Sequence, residues 1–143
     1  MRVDGVVRIV ACVVTLVSLC ALDSVWLITM LPVYQRGLGH LLAATPALVP
    51  AALFYPLYAA GVVALVVLPG VPAGRWYAVV ARGALFGVVA YGTYDLTNQA
   101  TLRAWPVWLT VLDMAWGTVL TAIVAALAHA IATRVAHRGP NRV

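Results

Sequence analysis

The sequence contains no lysine and no glutamate; its nine basic residues are all arginine and its four acids all aspartate. That absence reads as a habit of composition and carries no mechanism. The scarcity of charge says more. Charged residues make up 9% of the chain and hydrophobic ones 64%, against about 25% charged in an ordinary soluble domain. At a mean hydropathy of +1.01, a water-soluble globule would lack the polar surface to cover itself. The 143 residues are enough for one domain, residues 1–143, and that domain is an integral membrane one.

Other things are missing too. No H-E-x-x-H spacing, Cys/His ligand set, glycine-rich phosphate loop or nucleophile elbow occurs, so neither a metal nor a cofactor is expected. Adding His40 to the acids gives no recognised metal spacing. Cys12 and Cys20 are the only cysteines. Eight residues apart on one helix, their backbones lie about 12 Å from each other, beyond the roughly 7 Å limit for a disulfide. The sequence pI near 9.8 does not call for nucleic acid, because the arginines are not clustered with aromatics as a binding face requires.

What is present is a set of four apolar runs, each near the roughly 20 residues a spanning helix needs. They cover about residues 6–31, 47–68, 76–98 and 106–133. Pro32 is expected to stop the first, "PGVPAG" the second, and Pro106 to open the fourth. Helices are the reading for such runs, since an open sheet edge has no partner in lipid. Arg2 and Arg8 precede the first run as in a signal peptide. However, no small-residue cleavage site follows and the run continues through "VWLITML", so it reads as a retained span. The link of about 32–46, "PVYQRGLGHLLAATP", reads as an interfacial segment, with Tyr34, Arg36 and His40 above the helix ends.

Charge then orients the spans. Arg2, Arg8, Arg75, Arg82, Arg134, Arg138 and Arg142 fall on one side, Arg36 and Arg103 on the other. The positive-inside rule puts both termini of this multi-pass protein in the cytoplasm. The fold class is all-α, a four-transmembrane-helix bundle.

Three of the four acids lie inside the spans. Asp23, Asp95 and Asp113 sit about 12, 5 and 10 Å below the outer helix ends, all in one half of the bilayer. A carboxylate in hydrocarbon costs several kcal/mol, so each is expected to face the bundle. On the third span, Gly83, Gly87, Tyr91, Tyr94, Asp95, Asn98 and Thr101 share a face within about 140°. The glycines four apart allow close helix approach, which makes this stripe the inner one. Tyr55 and Tyr58 enter from the second span. "DSVW" and "DMAW" place Trp26 and Trp116 on the faces of Asp23 and Asp113. Two such patterns on antiparallel helices are slender support for an inverted repeat.

The expected site is therefore a polar pocket in the outer half. Its catalytic candidates are Asp23, Asp95 and Asp113, and its ligand-binding candidates Trp26, Tyr58, Tyr91, Tyr94, Asn98 and Trp116. Tyr, Trp, Asn and Thr donors are expected to satisfy the carboxylates. The leading function is binding or modification of a lipid or small amphiphile, with the acids as general acid and base; no motif decides whether the protein is an enzyme. A small transporter or proton-coupled carrier, which would need to oligomerise, is one alternative. A structural subunit whose acids fasten helices is another. His129 and His137, near the inner end of the fourth span, read as interface groups. Besides the bilayer and an amphiphile, no partner is implied.

The runs "FGVVAYGTYDLTNQATLRAWP" and "VLDMAWGTVL", with Asp23, Trp26 and "FYPLYAAGVVALVVLPG", resemble a family of small bacterial predicted membrane proteins of unknown function, domain-of-unknown-function family 2177. The resemblance covers about residues 5–135 and implies a four-span inner-membrane protein. Its motif positions fall at Asp23, Trp26, Tyr94, Asp95, Asn98, Thr101, Trp105, Pro106, Asp113, Trp116 and Gly117. It implies no activity.

Overall fold

Long runs of Val, Leu and Ala with few breakers make helix, and a computed structural model describing residues 3–39 and 41–138 is helical almost throughout. Four helices follow one another: α1 (Gly5–Leu38), α2 (Leu48–Ala73), α3 (Trp76–Thr101) and α4 (Val107–Arg138). Three of them, α1, α2 and α4, are long and apolar enough to cross a membrane. The 26 residues of α3 suffice in length, but its polar C-terminal end lowers its apolarity. Arg2, His40 and Arg142, which entered the sequence reading, lie outside the described residues.

Local chemistry sets the helix ends. Asp4 caps α1 by accepting from the Val7 amide at 2.9 Å. Gly74, in the left-handed region at φ +64°, ends α2 with its amide on the Gly70 carbonyl at 3.1 Å. Only Gly74 and Arg75 separate α2 from α3, so those two must run antiparallel. Pro106 accepts from the Leu109 amide at 3.0 Å and starts α4, as the sequence implied.

Two expected boundaries are wrong. Pro32 does not stop the first helix, which runs on to Leu38. Proline lacks only its own amide hydrogen, a loss that leaves a single carbonyl one turn earlier without its helical partner. The Pro32 carbonyl is itself covered, at 3.2 Å, by the Arg36 Nε. The link to α2 therefore begins beyond Leu38, and Tyr34 belongs to α1. Likewise "PGVP" continues α2 through Ala73.

Packing contacts fix the topology. Gly83 of α3 meets Ala125 and Ala122, and Gly87 meets Gly117, so α3 and α4 are antiparallel. Asp23 bonds Trp116 and Tyr34 bonds Asp113, so α1 and α4 are antiparallel too. Tyr58 bonds Thr121 while Gly70 lies under His129, so α2 runs with α4. The helices alternate in direction, α4 touches the other three, and both ends of the described chain lie at one end of the bundle. A π turn over Val63–Val67 widens α2. Buried pairs at Val62/Val63, Val66/Val67 and Gly70/Val71 recur every four residues. In an α-helix that spacing drifts about 40° per step, and the wider turn keeps the pairs facing the bundle.

Most of the core is small residues, with Val7, Ala11, Ala59, Val62, Val66, Ala125, Ala128 and Ala132 almost wholly buried beside Leu19, Leu120 and Tyr58. Larger apolar side chains such as Ile28, Leu57 and Leu85 face outward. This distribution suits lipid, where helices gain from close packing of small residues and not from hiding hydrocarbon.

Candidate functional site

All three intramembrane aspartates are buried: Asp95 is 0% exposed, Asp23 6% and Asp113 8%. Their surroundings differ sharply. Asp23 accepts from the Tyr55 hydroxyl of α2 at 2.8 Å and from the Trp116 indole of α4 at 3.1 Å. One carboxylate thus joins three helices, each oxygen having its own donor. Asp113 accepts from the Tyr34 hydroxyl at 2.5 Å, and Tyr34 in turn accepts from the Trp26 indole at 2.9 Å.

The two D-x-x-W patterns explain this weave. Trp26 and Trp116 lie on antiparallel neighbours and stack face to face, with ring centroids 4.3 Å apart and planes 4° from parallel. Each indole serves the acid of the other helix: Trp116 reaches Asp23 directly, and Trp26 reaches Asp113 through Tyr34. The stack aligns two flat hydrophobic faces, and their edge N–H groups are the only polar atoms they must satisfy. Both are spent on the network.

Asp95 is the exception. Neither of its carboxyl oxygens has a hydrogen-bond partner among the described residues. It faces the bundle as its helical stripe predicted, but the expected donors do not arrive. Tyr94 points away and is 61% exposed, its ring edge-on to Trp105 at 6.0 Å. Asn98 is half-buried. Tyr91 lays its ring over Gly117 and stands edge-on to Tyr58 at 6.4 Å. Tyr58, buried, shares a 2.7 Å hydrogen bond with Thr121, whose hydroxyl also donates to the Gly117 carbonyl at 2.7 Å. The expectation that surrounding donors satisfy every carboxylate therefore holds for Asp23 and Asp113 and fails for Asp95. The nearby charge is Asp113, of the same sign.

Close helix approach occupies the earlier part of this stripe. A side chain on Gly83 would strike Ala125 and the Thr121 carbonyl at 2.9 Å, and one on Gly87 would run into the Gly117 backbone. Nearer Asp95 the seam is lined by side chains: Gly92 faces the Met114 side chain, and the buried donors of that end, the Trp105 indole and the Thr110 hydroxyl, bond each other at 3.1 Å. One donor that sequence reasoning placed elsewhere is Tyr34, put above the helix ends because Pro32 was read as a stop. Eleven residues beyond Asp23, it falls within about 20° of it on a continuous helix, a signal that was there to be used.

The Thr residues that lower the apolarity of α3 do not present free hydroxyls to lipid. Thr93, Thr97 and Thr101 donate to the Val89, Thr93 and Thr97 carbonyls one turn back, at 2.6, 2.5 and 2.7 Å. Leu85, Val89 and Leu96 complete that outward face.

Residues 8–130 match the model of a family described as predicted membrane protein, DUF2177. The match covers most of the chain, and the protein belongs to that family of membrane proteins of unknown function. No curated protein and no solved structure matches it.

Proposed function

We propose that this family member crosses a bacterial inner membrane four times, with both termini in the cytoplasm. At the acid cluster of its outer half it binds a small amphiphile or lipid through a cationic or hydrogen-bond-donating head. The apolar outward face and self-bonded threonines of α3 support counting it as the fourth span. The arginine bias supports the orientation.

One observation carries the ligand's chemistry: Asp95 is wholly buried with both oxygens unpartnered. An unpaired carboxylate in an apolar setting costs far more than the net gain of an ordinary hydrogen bond. The donors near the other two acids, Tyr34, Tyr55 and Trp116, are already committed. What this level of the bundle lacks is a donor or a positive charge. Three acids together disfavour an anionic head, and the stacked indoles and Tyr91 offer apolar faces to a hydrocarbon chain.

The test is a titration of the detergent-purified protein with dodecylammonium and, separately, with uncharged dodecanol, read by thermal shift and intrinsic tryptophan fluorescence. Dodecylammonium is expected to bind, and Asp95→Asn to weaken it about tenfold while the melting temperature holds or rises. Equal binding of both probes, or an undiminished Asp95→Asn variant, would count against the reading. If Asp95→Asn instead lowered the melting temperature without touching binding, the acid would be a fastener. The same lone carboxyl supports a second reading, a proton-coupled carrier, which requires pH-dependent flux in proteoliposomes that Asp95→Asn abolishes.

A further inference from the structure

The acid cluster holds more free acceptors than Asp95 alone supplies. Asp23 has a donor on each oxygen. Asp113 has one, the Tyr34 hydroxyl, on Oδ1, and its Oδ2 accepts nothing among the described residues. With both oxygens of Asp95, three carboxylate oxygens therefore stand without a donor. At the inner end His129, read from sequence as an interface group, is 5% exposed and packed over Gly70 of α2, so it belongs to the packing there.

The register of α3 on α4 brings the three oxygens to one level. Gly87 lies against Gly117 and Gly92 against the Met114 side chain. Continued outward at 1.5 Å per residue, that pairing leaves Asp95 and Asp113 about 3–6 Å apart in height. The two acids differ in access. Asp95 is 0% exposed and Asp113 8%, so Asp113 is the acid an incoming group meets first. Met114, next to Asp113 and facing Gly92 one turn before Asp95, is unbranched and turns aside readily.

We infer that the amphiphile's head is a primary ammonium shared between Asp113 Oδ2 and the two oxygens of Asp95, an assignment that rests on amphiphile binding at this cluster. Asp113 is the residue that selects it. An ammonium carries three N–H donors and one positive charge, matching three free acceptors and an excess of negative charge. Such charge-assisted bonds are about twice as strong as neutral ones. A quaternary ammonium carries the same charge but no N–H, and leaves all three oxygens unbonded. Its bulk also suits an enclosed acid poorly, whereas an ammonium is compact.

The experiment compares dodecylammonium with dodecyltrimethylammonium, equal in charge and chain, on the protein purified in an uncharged detergent. Binding is read by intrinsic tryptophan fluorescence. The parent is expected to favour dodecylammonium about tenfold or more. Asp113→Asn keeps an acceptor for Tyr34 and offers an amide donor to Asp95, so that preference should vanish while thermal melting holds. Equal binding of the two cations by the parent would overturn the assignment and leave amphiphile binding standing, with the aromatic faces holding the charge. A preference that survives Asp113→Asn would overturn it as well, since Asp113 would then not touch the head. Binding of neither cation would remove both the assignment and the amphiphile site beneath it.

Discussion

Two seams hold α4 in place, and they work by opposite means. Against α1 it offers bulk: stacked indoles join two bonded carboxylates, Asp113 with the Tyr34 phenol and Asp23 with Tyr55 of α2. Against α3 it offers the absence of bulk, with Gly83 and Gly87 set against Gly117 and the small residues around it. The acids share the fate of the seam they occupy. Asp23 and Asp113 sit where aromatic side chains leave room for donors, and each is bonded. Asp95 sits on the seam of small residues, two turns past Gly87, and it is not. Close packing and polar satisfaction compete for the same volume, and each seam settles that competition differently.

The largest test strikes the narrow seam. Gly87→Leu places a branched side chain into the Gly117 backbone and should cost about 3 kcal/mol or more in an unfolding titration with denaturing detergent. A variant that melted like the parent would mean the helices are not held by close approach. On the wide seam, Asp23→Leu strands the Tyr55 hydroxyl and the Trp116 indole together. A loss of about 2 kcal/mol is expected by the same assay. The smallest effect belongs to Tyr34→Phe, which removes one donor from Asp113 and should cost about 1 kcal/mol, near the upper range for polar contacts within membranes. Asp95→Asn sharpens the contrast, because a carboxyl that bonds nothing should be replaced without loss. Were it to destabilise as much as Asp23→Leu, the division between seams would be false.

Much of this was legible from residue order. The four apolar runs, the inward stripe of α3 and the glycine spacing that marks it all follow from period and composition. So does the common depth of the three acids. The D-x-x-W pairs were legible as patterns, though not as a weave, because which indole serves which acid depends on how two helices meet in register. Tyr34 was missed through Pro32, because a proline is tolerated inside a membrane helix where neighbouring groups satisfy the backbone it frees, and the helix runs on to Leu38. His129 was misplaced for a related reason: a histidine near a helix end looks interfacial unless one knows that Gly70 of another helix lies beneath it.

By itself, the sequence determined that the chain is a membrane protein of apolar helices with its acids turned inward. Hydrocarbon forbids exposed charge and unpaired backbone, and those are constraints each helix meets alone. Tertiary structure alone decided which acids are bonded. Hydrogen bonds between helices need two side chains at one place, and how closely two backbones approach, as at Gly87 and Gly117, determines whether a second side chain fits there at all.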